Sequence, residues 1–298
     1  MAATQEPMTA PPQNPAREGS PAKRGPFPLF RRERRPPRWW QELAFIGVSY
    51  VLYGMVRNHF GNPLPVNCET RPLTDFQSIA CGRAYDLLHL ERTLNIDIEH
   101  ALNRIAVHTE WFAVFSNYFY ALAHFVVTIS VLIWLYRRHP LQYRPMRTAL
   151  YVCNVIALLG YWLYSLAPPR FLPAEGYVDT VKVFGTWGSY ASGDLATTSN
   201  QFAAMPSMHI GWALWSGLAI FWLARHRWVR WAGIAYPVVV LIVIMATANH
   251  FILDAVGGAI ALGIGFAAQR LLSGEPAVDQ SVAQPPLTDL PTGLTTPA

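Results

Sequence analysis

Two short segments carry residue types that could do covalent chemistry. The first is Ala204-Met205-Pro206-Ser207-Met208-His209-Ile210-Gly211, and the second is Asn249-His250-Phe251-Ile252-Leu253-Asp254-Ala255-Val256-Gly257-Gly258; each opens an apolar run. His250 and Asp254 are four residues apart, so on a helix they share a face and the carboxylate approaches an imidazole N–H. That contact fixes the tautomer and leaves the other ring nitrogen with an outward lone pair, as in an oriented base or nucleophile. A carboxylate one turn into an apolar span costs about 2.5–3.5 kcal/mol at a membrane centre and less near the interface, so Asp254 requires a partner. In the first segment, Pro206 suits the opening turn of a helix. The unpaired amides of Ser207, Met208 and His209, with the positive end of the helix dipole, then form an anion site. A lone interfacial histidine is ordinarily a satisfied polar residue. Two at one depth, one backed by an Asp and the other over a helix N-terminus, make a constellation for group transfer. A metal site of His209, His250 and Asp254 is the chemical alternative.

The elements that must position these residues are membrane spans. Of 298 residues, 52% are hydrophobic and 14% charged, a balance unlike that of a soluble domain. The net charge of +5 is spread in short clusters between apolar runs, which argues against nucleic acid as a partner. Six runs are marked: Glu42 to Val56, Trp111 to Tyr136, Thr148 to Leu166, Pro206 to Leu223, Val229 to Thr247, and His250 to Leu272. The first is short for a hydrocarbon core that takes about 20 helical residues. Arg31, Arg32, Arg34, Arg35 and Arg38, then Arg137, Arg138, Arg144 and Arg147, then Arg225, Arg227 and Arg230 all fall on one side, expected to be cytoplasmic. Both termini are then inside, and both chemistry-bearing segments face out.

The outer loop of residues 57 to 110 holds Leu87, Leu90, Leu94, Ile98, Ala101, Leu102 and Ile105 at helical spacing, which predicts an amphipathic helix. It either lies on the membrane surface beside a lipid entrance or packs over the bundle. Cys68 and Cys81 share that loop and pair as a disulfide if it faces an oxidising compartment; two free thiols are the other reading. More than half of the 24 prolines lie in residues 1–38 and 273–298, which read as disordered cytoplasmic tails. No signal-peptide cleavage pattern follows the first apolar run, so the first span is expected to be retained. The fold expected is all-α: a polytopic six-helix membrane bundle over residues 39–272 with an extracytoplasmic amphipathic helix.

Pro206-Ser207-x-His209, followed some forty residues on by His250-x-x-x-Asp254, resembles the second and third signatures of the type 2 phosphatidic acid phosphatase superfamily. Phe202 to His209 and Ala248-Asn249-His250-Phe251-x-x-Asp254 are most similar to its branch of inositol phosphorylceramide synthases and bacterial relatives. The resemblance implies a plasma-membrane enzyme acting on a lipid, with no metal and no soluble cofactor. It makes His250 the nucleophile that takes the phosphoryl group, Asp254 its orienter and His209 the acid for the departing alkoxide. Ser207 and the adjacent Met208 amide would hold phosphate oxygens. The family's first signature supplies a Lys and an Arg-Pro pair; here Arg170 stands in Ala167-Pro168-Pro169-Arg170-Phe171-Leu172-Pro173, with Lys182 a looser counterpart. Where the phosphatase form of the third signature has an Arg six residues before its His, this chain has Ile244. Fewer cations fit a phosphodiester donor better than a phosphomonoester dianion. Headgroup transfer to an acceptor hydroxyl or water is the leading expectation, and a lipid or polyprenyl (di)phosphate phosphatase the alternative. An intramembrane serine protease built on Ser207 and His250 would leave His209 and Asp254 without roles. A non-catalytic scaffold or transporter would use the same polar residues to line a cavity.

Overall fold

A computed structural model describes residues 37–58, 67–69, 72–186 and 200–278. The expected tails therefore lie largely outside the described residues, as does 187–199 of the second outer loop. Among the described residues the chain is helical: α1 (Trp39–Asn58), α2 (Asp75–Thr93), α3 (Ile98–Val107), α4 (Glu110–Arg138), α5 (Pro140–Leu163), α6 (Thr180–Val183), α7 (Met208–Leu223), α8 (Arg227–Ala246) and α9 (Ile252–Ser273). The only β pairing there is an isolated parallel bridge between Leu166 and Ala203.

Four helices, α4, α5, α8 and α9, are long and apolar enough to cross a membrane, with mean hydropathy between 1.3 and 2.0. Large apolar side chains such as Val126, Ile129 and Ile133 on α4 or Val256, Ile260 and Ile264 on α9 are exposed. Such a continuous apolar outer surface is that of a membrane protein. α7 is apolar but only 16 residues long, about 24 Å at the helical rise. α1 has 20 residues and is not among those four. It leans on α5, where Glu42 accepts hydrogen bonds from Arg147 and from Tyr143 Oη, and Phe45 packs on Tyr151 with ring centroids 4.6 Å apart.

The stretch expected to form one amphipathic helix is broken in two. α2 ends at Thr93, and Asn95 takes a positive φ of 56° before α3 begins. Asparagine is among the few side chains that tolerate this left-handed turn. Thr74 caps α2 with a reciprocal pair of bonds to Gln77. Cys68 and Cys81 are bonded, which ties residue 68 to α2. In the loop-entropy picture a closure of 13 residues stabilises by about 3 kcal/mol. Asn103 on α3 stitches this cap to the bundle: its amide donates to the carbonyls of Val178 and Ala246, and its oxygen accepts from Val178 N–H.

Small residues set the helix spacing. Gly217 of α7 and Gly233 of α8 face each other's carbonyls so closely that an added Cβ would lie 2.3 and 2.9 Å from them. A Cβ on Gly258 of α9 would fall 2.2 Å from the carbonyl oxygen of Ser207, just ahead of α7. Residues 274–278 fold back on the other end of the bundle, where Ala277 is buried.

Gly258→Ala is expected to lower the thermal midpoint in detergent, since overpacking costs about 1–3 kcal/mol. Gly263→Ala, which meets nothing within 4 Å, is expected to leave it unchanged. Equal midpoints for the two variants would contradict the close approach of α9 to Ser207.

Candidate active site

The second chemistry-bearing segment is a helix cap. His250 precedes α9, Phe251 is the N-cap, and Asp254 is the third helical residue. The Asp254 carboxylate turns back: Oδ2 accepts from Phe251 N–H at 3.0 Å and lies 3.3 Å from His250 Nδ1. The expected pair therefore exists, but it comes from capping geometry, because residue 250 lies outside the helix on which a four-residue spacing would act. Asp254 is fully buried and His250 nearly so. With Nδ1 directed at the carboxylate, Nε2 is the ring nitrogen left for chemistry.

The first segment departs from expectation in two respects. Ser207 is the N-cap of α7, and its amide donates to the main-chain carbonyl of Asp254 at 2.9 Å. It is therefore engaged and does not join an anion site. Pro206 sits ahead of the helix and not in its first turn; it packs against Gly160 and Gly257, with its carbonyl accepting from Tyr161 Oη at 3.1 Å. Met208 opens α7, where a first-turn amide has no carbonyl of its own helix. Ser207 Oγ is buried and has no hydrogen-bond partner among the described residues. A buried hydroxyl left unsatisfied costs about 1–3 kcal/mol unless something else fills the need.

These two caps bring the histidines together, with the His209 and His250 ring centroids 5.6 Å apart. Two residues of α4 complete the surroundings. Tyr120 stacks on His209 at 4.1 Å and 20° between planes, and His124 meets the same ring edge-on at 4.3 Å. His124 Nδ1 is 3.0 Å from the Tyr120 carbonyl, one turn back. Sequence reasoning passed over both, although a histidine inside an apolar span was itself a signal.

Arg170 reaches the site from the loop after α5. Its main-chain N–H donates to Ala248 O at 2.9 Å. Its guanidinium donates to Asn249 Oδ1 and, at 3.4 Å, to Gln201 Oε1, and Nε is 3.9 Å from Asp179 Oδ2. Asn249 is oriented for this by donating its own amide to Thr247 Oγ1 at 2.8 Å. Arg170 is thus bonded to Ala248 and Asn249, the two residues before His250. Lys182 is different: it is largely exposed and pairs with Asp179 at 3.7 Å, at the rim. Among the described residues no group of three or more His, Cys, Asp or Glu side chains could hold a metal ion.

A histidine oriented by a buried carboxylate, a second histidine facing it, an arginine and a hydroxyl without a partner can together move an anionic group. The chain belongs to the PAP2 superfamily, whose family model matches residues 85–268. No curated protein and no solved structure matches it. Membership supports a phosphatase or phosphotransferase type of activity on lipids. The matched region spans α3 to α8 entirely, the C-terminal part of α2 from residue 85, most of α9, and every site residue named above.

The contact of Tyr120 with His209 is made by the ring face, so Tyr120→Phe is expected to retain activity. Tyr120→Leu removes the aromatic face and is expected to lower turnover by up to about thirtyfold, the equivalent of about 2 kcal/mol for a desolvated cation over a ring. Steady-state rates on an aryl phosphate ester would check this, and equal loss in both variants would assign the contribution to the hydroxyl instead.

Proposed function

We propose that this protein is an integral membrane lipid phosphotransferase of the inositol phosphorylceramide synthase-like type, working through a phospho-histidine. The observation that carries the reading is the facing of His209 and the Asp254-oriented His250. In this mechanism the Nε2 lone pair of His250 attacks phosphorus as the bond to the donor's lipid alkoxide breaks. His209, as imidazolium, delivers the proton to that oxygen. The acceptor hydroxyl, or water, then attacks the phospho-histidine, giving its proton to His209 and restoring both rings. Arg170, Ser207 Oγ and the opening of α7 at Met208 would hold the phosphoryl oxygens, with Lys182 contributing charge at the rim. The fully buried, apolar Ile244 supports a donor of lower charge, a phosphodiester, over a phosphomonoester.

Membrane placement follows the same reading. The four apolar helices would be joined by α1 and α7 as six spans within residues 39–272, between the tails 1–38 and 273–298. Glu42 on α1, paired with Arg147 and Tyr143, is the kind of internally satisfied carboxylate a span tolerates. Arg137, Arg138, Arg144, Arg225, Arg227 and Arg230 mark the cytoplasmic side, with both termini there and the site on the outer side of the plasma membrane. The Cys68–Cys81 bridge fits an oxidising outer compartment. α2 and α3 would form the outer cap, with Leu90, Leu94, Ile98 and Ile105 exposed toward the lipid surface.

Two variants test the mechanism. His250→Ala is expected to abolish any trapped phospho-enzyme. His209→Ala is expected to lose about 10² to 10⁴ in rate on lipid donors and little on p-nitrophenyl phosphate esters, whose leaving group needs no proton. Equal loss on both substrates removes the acid role, and a phospho-enzyme in His250→Ala refutes the nucleophile.

The donor class is tested separately. Headgroup transfer from phosphatidylinositol is expected to exceed phosphate release from phosphatidic acid; the reverse order assigns a lipid phosphatase.

A further inference from the structure

Behind the start of α9 lies a pair of acids that no step above uses. Glu91 of α2 and Glu99 of α3 are both fully buried; their carboxyl groups are neighbours, and Oε2 of each is buried with no hydrogen-bond donor among the described residues. Each accepts a hydrogen bond through Oε1. Glu91 Oε1 accepts from Leu253 N–H at 2.7 Å, and Glu99 Oε1 accepts from Tyr177 Oη at 3.1 Å. Ionised carboxylates only accept, so two of them in contact cannot bond unless one carries a proton. Leu253 is the second residue of α9 and immediately precedes Asp254.

We propose that Glu91 and Glu99 share a single proton and act as positioning residues, clamping the first turn of α9 so that Asp254 and His250 keep their catalytic geometry. The argument is one of connectivity. Two amides at the start of α9 have carboxylate acceptors: Phe251 N–H is held by Asp254, and Leu253 N–H by Glu91. The first bond is local to the helix. The second bridges 162 residues of sequence and ties the cap of the molecule to the site. Loss of the shared proton would set two negative charges against each other away from water, with Asp254 close behind, and the clamp would open.

The groups bearing on the pair are few. Asp254 from α9 acts on Glu91, Asp97 from the α2–α3 turn acts on Glu99, and Tyr177 from the loop after α5 bonds Glu99 while meeting His100 of α3 edge-on. Arg92, next to Glu91 on α2, is turned outward to Glu175 at 2.7 Å and Asp97 at 3.8 Å. Burial, and then the neighbouring Glu99, push Glu91 up to about 9. Because the folded state holds this proton more tightly than the unfolded chain, stability from the pair is fully present below about 4.5 and is lost as pH rises toward 9.

The role assigned to His250 rests on the proposed phosphotransfer, so the test has one readout that involves activity and two that do not. Glu91→Gln is the isostere of the protonated acid: its amide oxygen still accepts from Leu253 and its NH₂ donates to Glu99. In detergent-solubilised protein, the infrared C=O band of a protonated carboxylic acid at pH 7 is expected in the wild type and missing from Glu91→Gln. The decline in thermal midpoint between pH 5 and 9 is expected to be shallower in the variant. On p-nitrophenyl phosphate esters, Glu91→Gln is expected to keep at least half of the neutral-pH kcat and to lose the alkaline limb near pH 9. Glu91→Ala should lose tenfold or more in kcat with KM little changed. An unaltered infrared band together with an unaltered midpoint profile overturns the shared proton. An unchanged alkaline limb in Glu91→Gln, or full activity in Glu91→Ala, overturns the positioning role. Wild-type protein inert on every donor defeats the proposed function instead, and the two structural readouts still decide the pair.

Discussion

The site depends on a single contact between two backbones. Ser207, at the head of α7, donates its amide to the carbonyl of Asp254 in the first turn of α9, and Gly258 one turn later lets the Ser207 carbonyl approach where any side chain would collide. Asp254 thus works at both ends of itself. Its main chain holds the segment that leads into His209, while its carboxylate holds Phe251 N–H and the His250 ring. A buried carboxylate is costly unless its oxygens are satisfied; both bonds fall on Oδ2 and offset part of that cost, while Oδ1 is buried with no hydrogen-bond partner among the described residues. The same bonds fix the direction of the imidazole.

Around this contact the structure is arranged in two tiers. The helical tier sets distances through glycines: Gly160, Gly217, Gly233, Gly257 and Gly258 each sit where a neighbour's backbone, proline or side chain presses in. In an apolar bundle close backbone packing replaces much of the hydrophobic driving force. The second tier is polar and lies over the histidine-bearing ends of the helices. There Arg170 is anchored by the Ala248 carbonyl, Asn103 bridges α3 to Val178 and Ala246, and Asn117 joins Thr180 and Thr186. Arg170 has neutral amide oxygens as its hydrogen-bond partners and a carboxylate only at 3.9 Å.

Catalytic assignments and cap chemistry meet at α9. Its N-terminus carries a positive partial charge, and two carboxyl groups from different parts of the chain are drawn to it, Asp254 from within and Glu91 from α2. One acid orients a ring; the other holds the turn that bears it. This division explains why a membrane-facing protein keeps two further glutamates buried, a placement that would otherwise only destabilise it.

Much of this was readable in the residues alone. Apolar runs marked the helices that became α4, α5, α7, α8 and α9, because an 18-residue stretch without charge has few other solutions. The two histidine segments were legible because Ser, His and Asp at apolar helix starts are expensive to keep without a use. The shared loop left Cys68 and Cys81 either paired or free, and the structure bonds them. What the sequence could not decide was which helix faces meet, since a helical period says which stripe is apolar but not which neighbour it touches. Tyr120 and His124 became part of the site only through the rotation of α4 against α7. Ser207 N–H, free by local rules, was claimed by a carbonyl from α9. The Glu91–Glu99 contact needed the turn at Asn95, and the hold of Glu91 on Leu253 joins residues 162 apart in the chain. Residue chemistry was local and therefore written in the sequence; the partner of each polar group was set by packing across distant segments, which only the tertiary structure decides.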